Sequence, residues 1–252
     1  MATEPKTIGA VERTFGIIQA LEDLGAAGTT EIAQELSLSK STAYTHLNTL
    51  HRSGYLVKED NTYRLSCKFL RLGFSVQRGF DLYRRGRNAV DELAVETGER
   101  TNLVVEEAGE GTCIHSADAS GSMDIYMSPG ERWPLHATAT GKAILAHLPS
   151  ERVDEIVDRH GLPALTPHTI TDRDTLAEEL ASIRDAEIAF DEQEAIEGLR
   201  CIAAPIIVDD KPLGSLSVSG PSQQFTDPGR EEELIEALRE AVNVIQLKFV
   251  FN

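Results

Sequence analysis

The hydrophobic periodicity of this 252-residue chain changes near residue 100. Before that point apolar residues recur at helical spacing, and one short stretch alternates as a β-hairpin does; beyond it, strand-like and helix-like segments follow one another. A chain of this length can bury two modest hydrophobic cores. The change therefore predicts a small N-terminal helical domain, followed by a larger α+β domain around a mostly antiparallel sheet.

The first third of the chain begins with two predicted helices. An apolar stripe marks the first of them, at Ile8, Val11, Phe15, Ile18 and Leu21. Gly25 and Gly28 are placed to end it. Residues 29–36 predict a short second helix, with Thr29 or Thr30 as its N-cap. A polar turn then separates this helix from the next.

The third predicted helix, capped by Ser39, has one apolar and one polar side. Ala43, Leu47 and Leu50 lie at i, i+4 and i+7 and therefore face inward. No Asp or Glu occurs in residues 36–58, so the polar side carries no acid. Two short helices joined by a tight turn, the second with such a face, are typical of a helix-turn-helix that lays its second helix in the major groove of DNA.

A β-hairpin is predicted behind this helix, with strands at 55–58 and 62–65. A hairpin in that place is the wing of a winged helix. The predicted DNA-contacting residues are Lys40, Ser41, Thr42, Tyr44, Thr45, Asn48, Arg52, Lys58 and Arg64. Two alternatives stay open: a small three-helix core that is acid-poor by chance, and a winged helix that contacts protein instead of DNA.

Acidic residues are concentrated in the second part of the chain. Residues 1–100 contain 13 Lys and Arg against 13 Asp and Glu, whereas residues 101–252 contain 11 against 28. The net charge of −17 argues against a nucleic-acid-binding surface over the whole protein, but not over its neutral first part. The acidic excess also suits a cytoplasm of high salt, as in halophilic microbes; an ordinary acidic bacterial protein is the alternative.

An amphipathic helix is predicted over residues 81–97, and Gly98 ends it. It could pair with its copy in a dimer or pack against its own domain, and periodicity favours neither. Further strands are predicted at 101–107, 111–117, 125–128, 188–190, 201–208 and 213–219, and further helices at 142–148, 150–160 (with Ser150 as cap), 172–186 and 228–249. The predicted domains are residues 1–70, a linker at 71–99, and residues 100–252.

Motifs for catalysis or for a cofactor are not found. Gly141-Lys142 fails as a P-loop, because the motif needs Gly in place of His136 and Ser or Thr in place of Ala143. Cys113 and His115, two apart on a strand, are expected to share a face; the alternatives are a thiol–imidazole or metal site, or a packed Cys beside a hydrogen-bonded His. No apolar run or leader pattern predicts a membrane segment, so we expect a cytoplasmic protein with reduced thiols.

Four segments together resemble the IclR-type transcriptional regulators of bacteria and archaea. They are VERTFGIIQAL at 11–21, TTEIAQELSLSKSTAYTHLNTL at 29–50, PLHATATGKAILAHLP at 134–149 and GLRCIAAPIIVDDKPLGSLSVSGP at 198–221. The resemblance implies a winged helix-turn-helix domain, joined by a helical linker to a GAF-like α+β domain that senses a small metabolite. It also implies a homodimer or homotetramer on a palindromic double-stranded DNA operator. His46 departs from the family pattern, which has an apolar residue there, and reads either as a half-buried packing residue or as an extra phosphate contact.

The resemblance further implies which positions contact the effector. They are the backbone around Ala139, Thr140 and Gly141, and the side chains of Asp191, Cys201, Ser217 and Ser219. Residues 139–142 run into a predicted helix start, where backbone N–H groups attract an anion, and Asp191 is expected in a loop. Hydroxyls, a thiol and amides suit a neutral or carboxylated metabolite, such as a carboxylic acid or sugar derivative of a catabolic pathway. Repression and activation are both compatible with this pattern.

A thiol-dependent enzyme is the remaining alternative, with Cys113, Cys201 and His115 as its chemical groups. A reactive thiolate needs nearby basic groups, and only Lys142 and Arg200 are close in sequence to either thiol. We therefore expect a regulator without catalytic activity, cofactor or metal.

Overall fold

A computed structural model gives the fold and describes residues 6–119 and 127–251. The chain divides into two compact units, Met1–Val76 and Gln77–Asn252. The elements of the first unit, with the helix that leaves it, are α1 (Gly9–Leu24), β1 (Ala26–Gly28), α2 (Thr29–Glu35), α3 (Lys40–Arg52), β2 (Leu56–Glu59), β3 (Thr62–Leu65) and α4 (Lys68–Gly79).

The first unit is a winged helix, as predicted. β2 and β3 form the hairpin of the wing across the turn Asp60-Asn61, and β1, which was not predicted, pairs with β3 on its other side. α3 buries Ala43, Leu47 and Leu50 against the core, which confirms the predicted inward face. The predictions missed β1 because three residues, Ala-Ala-Gly, carry no strand periodicity of their own.

The helix caps of this unit agree with the sequence in one case and differ in another. Ser39 Oγ accepts a hydrogen bond from the backbone N–H of Thr42 at 3.1 Å, so the predicted cap of α3 is confirmed. α2 begins directly at Thr29 with Gly28 as its N-cap, so the prediction of Thr29 or Thr30 as cap is wrong. Gly28 has no side chain that could cap the helix, and the Glu31 carboxylate accepts from the Gly28 N–H at 3.4 Å.

The apolar stripe predicted on α1 faces solvent over most of its length. The buried residues of α1 are Ile17, Ala20 and Leu21, whereas Ile8, Val11 and Phe15 are exposed. α1 is apolar on two sides, and spacing alone does not tell which side the domain's own core covers.

His46, which departs from the family pattern, is half-buried, and its Nδ1 lies 2.8 Å from the Thr14 hydroxyl of α1. This contact supports the packing interpretation of His46.

The second unit has one six-stranded antiparallel sheet in the order β6-β5-β4-β9-β8-β7. Its elements are α5 (Asp81–Thr97), β4 (Arg100–Glu107), β5 (Glu110–Ala117), β6 (Arg132–Pro134), α6 (Ala139–Leu145), α7 (Ser150–His160), α8 (Arg173–Ala186), β7 (Ala189–Glu192), β8 (Leu199–Val208), β9 (Lys211–Pro221) and α9 (Pro228–Val250). The α+β architecture and the antiparallel sheet are therefore confirmed.

Each face of this sheet has its own hydrophobic core. α6, α7 and α8 cover one face, where Val104, Cys113 and Ala203 are buried. α5 and α9 cover the other face, over Leu103, Ile202 and others. α5 has the predicted bounds, with Gly98 in a left-handed conformation after it, and its apolar side packs against α9 and the sheet. The sequence left two alternatives for this helix, pairing with its copy in a dimer and packing against its own domain. In the structure α5 packs against its own unit.

Three local predictions in the second unit are wrong. α6 starts at Ala139, three residues before the predicted 142, because Thr138 caps it by accepting from the Gly141 N–H at 3.0 Å. α7 begins at Ser150 as predicted, but Pro149 is its N-cap and Ser150 makes no cap bond. Asp191 lies in β7, paired with Cys201, and not in a loop. The predicted strand at 125–128 lies partly outside the described residues, and Met127 and Ser128 are not in a strand.

A β-bulge at Ile114 changes which side chains of β5 share a face. In the pairing with β4, Val104 lies opposite Cys113 and Leu103 opposite His115, so Ile114 is the extra residue. Cys113 therefore points toward α6, whereas His115 points toward α5, where its Nε2 lies 2.8 Å from Asp91 Oδ1. The prediction that Cys113 and His115 share a face is wrong, because the bulge breaks the alternation on which it rested.

Candidate effector site and DNA-binding surface

α3 presents the predicted DNA-contacting residues on its solvent side. Lys40, Ser41, Tyr44, Thr45 and Arg52 are exposed, and Thr42 and Asn48 are half-buried. Two hydroxyls are engaged within the helix: Thr42 Oγ1 lies 2.8 Å from Ser39 Oγ, and Thr45 Oγ1 donates to the Ser41 carbonyl at 2.9 Å. The Asn48 amide and the two cations at the ends of α3, Lys40 and Arg52, are groups of the kinds that contact bases and phosphates in DNA complexes.

The wing carries the two further predicted contacts, Lys58 and Arg64, and both are exposed. The Arg64 guanidinium forms an ion pair with the Glu59 carboxylate, with 2.6 Å between NH2 and Oε1. Lys58 Nζ lies 5.4 Å from the centre of the Tyr63 ring and forms no ion pair with a described residue. Of the two wing cations, Arg64 is thus paired with a carboxylate of the same hairpin.

A row of polar side chains crosses the α6 face of the second unit's sheet. Asp191 on β7 lies opposite Cys201 on β8, which lies opposite Ser219 on β9. Ser219 Oγ donates to Cys201 Sγ at 3.2 Å. Ser217, two residues before Ser219, occupies the next row on the same face. The structure thus brings together all four side chains that the resemblance assigned to the effector.

The start of α6 packs on this sheet face and adds backbone groups to the row. Ser215 Oγ of β9 donates to the Thr140 carbonyl at 3.0 Å, and Ala139, Thr140 and Gly141 are all buried. A Cβ at position 141 would lie 2.1 Å from the Leu135 carbonyl oxygen, so only glycine permits this approach. Of the backbone N–H groups in the first turn of α6, that of Gly141 donates to Thr138 Oγ1 at 3.0 Å.

Asp191 is the titratable group of this site. Its side chain is 3% exposed, and Oδ1 accepts from the backbone N–H groups of Glu194 at 2.6 Å and Ala195 at 3.3 Å. Burial raises the pKa of Asp191 to about 7, although these two hydrogen bonds act in the opposite direction. A carboxyl that is partly protonated near neutral pH can donate as well as accept a hydrogen bond.

Sequence reasoning missed Asn102, which lies beside the row on β4. Its Nδ2 donates to Ser219 Oγ at 3.2 Å and lies 3.5 Å from Ser217 Oγ. Its Oδ1 is buried and has no hydrogen-bond partner in the described part of the chain. A buried acceptor without a partner is costly, so this oxygen is a natural place for a ligand hydroxyl to donate. Its signal in the sequence was weak, because Arg100, Thr101, Glu106 and Glu107 of the same strand are also polar.

Lys142 was also missed as a site residue. It is 1% exposed, and its Nζ lies 2.5 Å from Glu194 Oε1 and 3.0 Å from Glu179 Oε1. Glu194 is bound through its N–H to Asp191, so Lys142 ties the start of α6 to the segment that follows β7. A lysine in the apolar segment ATGKAIL was the signal, but its partners lie 37 and 52 residues further along the chain.

The two buried thiols have the wrong surroundings for nucleophilic chemistry. Burial raises the pKa of Cys113 and that of Cys201 to about 12. A reactive cysteine needs its pKa lowered by nearby cations, which is the opposite shift. His115 faces away from Cys113, across the sheet. In the described part of the chain, no group of three or more His, Cys, Asp and Glu side chains is placed to hold a metal ion.

Two cavities in the second unit lie away from the row. One of about 190 Å³ lies between α7 and the β4–β5 turn and includes His136 and His160. The other, of about 430 Å³, is lined by Arg200, Glu192 and Glu231. Neither contains a residue of the predicted effector site.

Among the described residues no helix has both the length and the apolar character needed to span a membrane.

Comparisons with known proteins agree with this geometry. Residues 10–60 match the family described as IclR helix-turn-helix domain, and residues 74–247 match the family described as Bacterial transcriptional regulator IclR C-terminal. The chain is similar to the HTH-type transcriptional regulator KdgR of Dickeya chrysanthemi, with 33% identity over 91% of this chain and 76% of that protein. It is also similar to the probable HTH-type transcriptional regulator ArcR of Halobacterium salinarum, with 31% identity over 97% and 95% of the two chains.

A solved structure is similar over nearly the whole length. The IclR protein of Thermotoga maritima has a TM-score of 0.83 and 28% identity, and the match covers 96% of this chain and 99% of that one. The winged helix, the two-sided antiparallel sheet and both family matches lead to one assignment. The chain belongs to the IclR family of helix-turn-helix transcriptional regulators.

Proposed function

We propose that this protein binds a palindromic double-stranded DNA operator as a homodimer, and that a small metabolite in the second unit changes its affinity for that operator. The observation that carries the metabolite part is the buried row of Asp191, Cys201 and Ser219 under α6, with the unpartnered Asn102 Oδ1 beside it. Buried polar groups of this kind are stabilised by a ligand that pairs with them. The operator would control genes of a catabolic pathway.

The DNA-binding part of the proposal places α3 in the major groove and the wing beside it. Asn48 would contact base edges, and Lys40, Arg52 and Lys58 would contact phosphates, with Ser41, Thr42, Tyr44, Thr45 and Arg64 in supporting contacts. Support comes from the position of these side chains, which are exposed except for the half-buried Thr42 and Asn48, and from the absence of acids in residues 36–58. A helix without acids approaches phosphates without repulsion.

The dimer is proposed to form through apolar side chains that the first unit leaves exposed. Ile8, which precedes α1, and Phe15 of α1 are 69% and 65% exposed, and Phe74 and Val76 of α4 are 53% and 64% exposed. Large apolar side chains that remain exposed are typical of a protein–protein interface. A second copy of the chain would cover them, and two α3 helices would then read two half-sites. Association of two such dimers into a tetramer is compatible with this interface.

The link between effector and DNA is proposed to run through α4. α5 packs within the second unit, so it moves with that unit. Near the end of α4, Gln77 Nε2 donates to the Ile114 carbonyl at 2.7 Å, at the bulge of β5. Cys113 precedes this bulge on the α6 face. A shift of β5 on effector binding would therefore change its hydrogen bond to Gln77 of α4. Through α4 it would change the distance between the two α3 helices that read the half-sites.

We also propose that the protein has no catalytic activity and works in the cytoplasm, where its operator is. The pKa of about 12 for each buried thiol supports the absence of catalytic activity.

A salt-rich cytoplasm is proposed from the charge of −17 and from the similarity to a Halobacterium salinarum protein. Thermal unfolding measured from low to molar KCl tests it: we expect the melting temperature to rise with salt, and a constant or falling value would contradict the proposal.

The regulator proposal is tested by a gel shift on the DNA upstream of the protein's own gene, at several KCl concentrations, with sugars and small carboxylic acids. We expect specific binding that weakens with salt and responds to one compound class. Lys58→Ala should reduce the salt dependence, and Lys211→Ala, a lysine in the second unit, is the matched control. No specific complex at any salt concentration would favour a winged helix that contacts protein instead of DNA.

A further inference from the structure

The smaller of the two cavities in the second unit, which we call the α7 cavity, is enclosed mostly by apolar side chains. Four of them are buried in the core of the α6 face: Leu135, Leu145, Ile156 and Val157. An apolar cavity of about 150 Å³ inside a protein stays dry and binds benzene. The α7 cavity measures about 190 Å³, so it has room for one six-membered ring with a small substituent.

The α7 cavity is separate from the polar row on the sheet. Neither Asp191 nor Cys201 nor Ser219 lines it. Leu135 marks the border between the two: its side chain lines the cavity, whereas its backbone packs against Gly141 at the start of α6. A ligand in this cavity would therefore contact the segment that leads into α6 without contacting the proposed effector residues.

The α7 cavity opens to solvent at the end of α7, where His160, Gly161 and Pro163 are exposed. The β4–β5 turn lies against this opening, and His160 Nε2 donates to the Ala108 carbonyl at 3.0 Å. A Cβ at Gly109, which has a φ of +92°, would lie 2.5 Å from His160 Nε2. Glycine at 109 thus permits the turn to close this side of the cavity and leaves a way in beside it.

His136 is the buried polar residue of the α7 cavity. Its Nε2 lies 3.1 Å from the Pro163 carbonyl, which can only accept, so Nε2 carries the ring hydrogen. Burial lowers the pKa of His136, although the hydrogen bond to Pro163 acts in the opposite direction. The neutral ring leaves Nδ1 as an acceptor, and none of the described residues donates to it. A ligand can therefore donate one hydrogen bond here.

The charges around the α7 cavity favour an uncharged ligand. Among the described residues that line it, Glu110 is the only Asp, Glu, Lys or Arg. A ligand carboxylate would be repelled by the Glu110 carboxylate and would lose its hydration against apolar side chains. Both effects are absent for a neutral molecule.

We propose that the α7 cavity is a second ligand site, which binds a small uncharged ring compound with one hydrogen-bond donor, of the size of phenol. The ligand hydroxyl donates to His136 Nδ1, and the ring lies against Leu145, Ile156 and Val157. This site goes beyond the proposed effector site, because it differs from that site in position, in polarity and in the class of its ligand.

The test uses three probes with the same ring. Phenol has a hydrogen-bond donor, benzene has none, and benzoate has a carboxylate. Phenol and benzene are titrated into the full chain by saturation-transfer NMR at one fixed KCl concentration. We expect phenol to bind about threefold to tenfold more tightly than benzene, the range for one neutral hydrogen bond. Benzoate at the same concentration as phenol should not displace it.

Two variants locate the binding. Val157→Phe puts a ring of the protein into the cavity and should weaken phenol binding at least about tenfold, because the apolar contacts of the ligand ring are lost. Val244→Phe is the matched control, since it makes the same change at an exposed position of α9, and it should bind phenol as the wild type does. If a melting curve shows that Val157→Phe does not fold, Leu162→Phe replaces it, at a half-buried loop position that lines the same cavity.

Four outcomes would overturn the proposal. They are equal phenol affinity in the wild type and the cavity-filling variant, benzene binding as tight as phenol binding, displacement of phenol by an equal concentration of benzoate, and no phenol binding at millimolar concentration. Phenol bound at the polar row instead would give the first of these outcomes, because the cavity-filling variants leave that row unchanged.

Discussion

The stability of the second unit should depend on pH through Asp191, and Asp191→Asn should remove that dependence. The Asp191 side chain is buried, and its pKa is raised by burial from the ordinary 3.8 to about 7. Between these two values the unfolded chain has released a proton that the folded protein still holds. The stability associated with this group is therefore complete below about pH 4 and is lost as the pH rises toward 7.

The size of the effect follows from the difference between the two pKa values. A difference of roughly three pH units, at about 1.4 kcal/mol for each, makes the ionised carboxyl cost the folded state roughly 4 kcal/mol above pH 7. Asn carries no charge, and its amide oxygen can accept the same hydrogen bonds from the N–H groups of Glu194 and Ala195. Relative to wild type, the variant should gain about 1.4 kcal/mol per pH unit between pH 5 and 7 and little beyond.

Urea unfolding at pH 5, 6, 7 and 8 measures this difference. Trp133, the only tryptophan of the chain, lies in β6 of the second unit and reports its unfolding by fluorescence. Asp172→Asn is the matched control. Hydrogen bonds from Thr175 lower the pKa of Asp172, so its contribution is fully present above pH 5, and that variant should differ from wild type by a constant amount. Parallel stability curves for wild type and Asp191→Asn would refute the reasoning.

Three further predictions concern the same unit. Lys142→Met should cost about 3–5 kcal/mol in urea unfolding, because it leaves Glu194 buried without its cation, and adding Glu194→Leu should recover most of the loss; no recovery would contradict the ion-pair argument. Gly141→Ala should lower the free energy of unfolding by about 1–3 kcal/mol, because the alanine Cβ would overlap backbone atoms of Leu135. An unchanged free energy of unfolding would mean that α6 can shift to make room. In alkylation of the native protein, exposed Cys67 should react at the rate of a free thiol and buried Cys201 far more slowly, and equal rates would contradict this.

Much of this protein followed from local sequence signals. The bounds of α5 and α7, the cap at Ser39 and the wing hairpin were all predicted, because helix periodicity, caps and tight turns depend on residues a few positions apart. The effector-side residues came from the resemblance, and the structure brings their side chains together on one face of the sheet, with the start of α6 packed on that face. Which residues contact DNA or an effector stays a prediction.

Tertiary structure decided what depends on contacts between distant segments. The side of α1 that is buried, the bulge that separates Cys113 from His115 and the strand position of Asp191 all follow from partners elsewhere in the chain, which periodicity does not encode. Lys142 is the extreme case, because only the meeting of α6 with two distant glutamates makes its burial tolerable. The row from Asp191 through Cys201 to Ser219 joins three strands, and strand order is set by packing of the whole sheet.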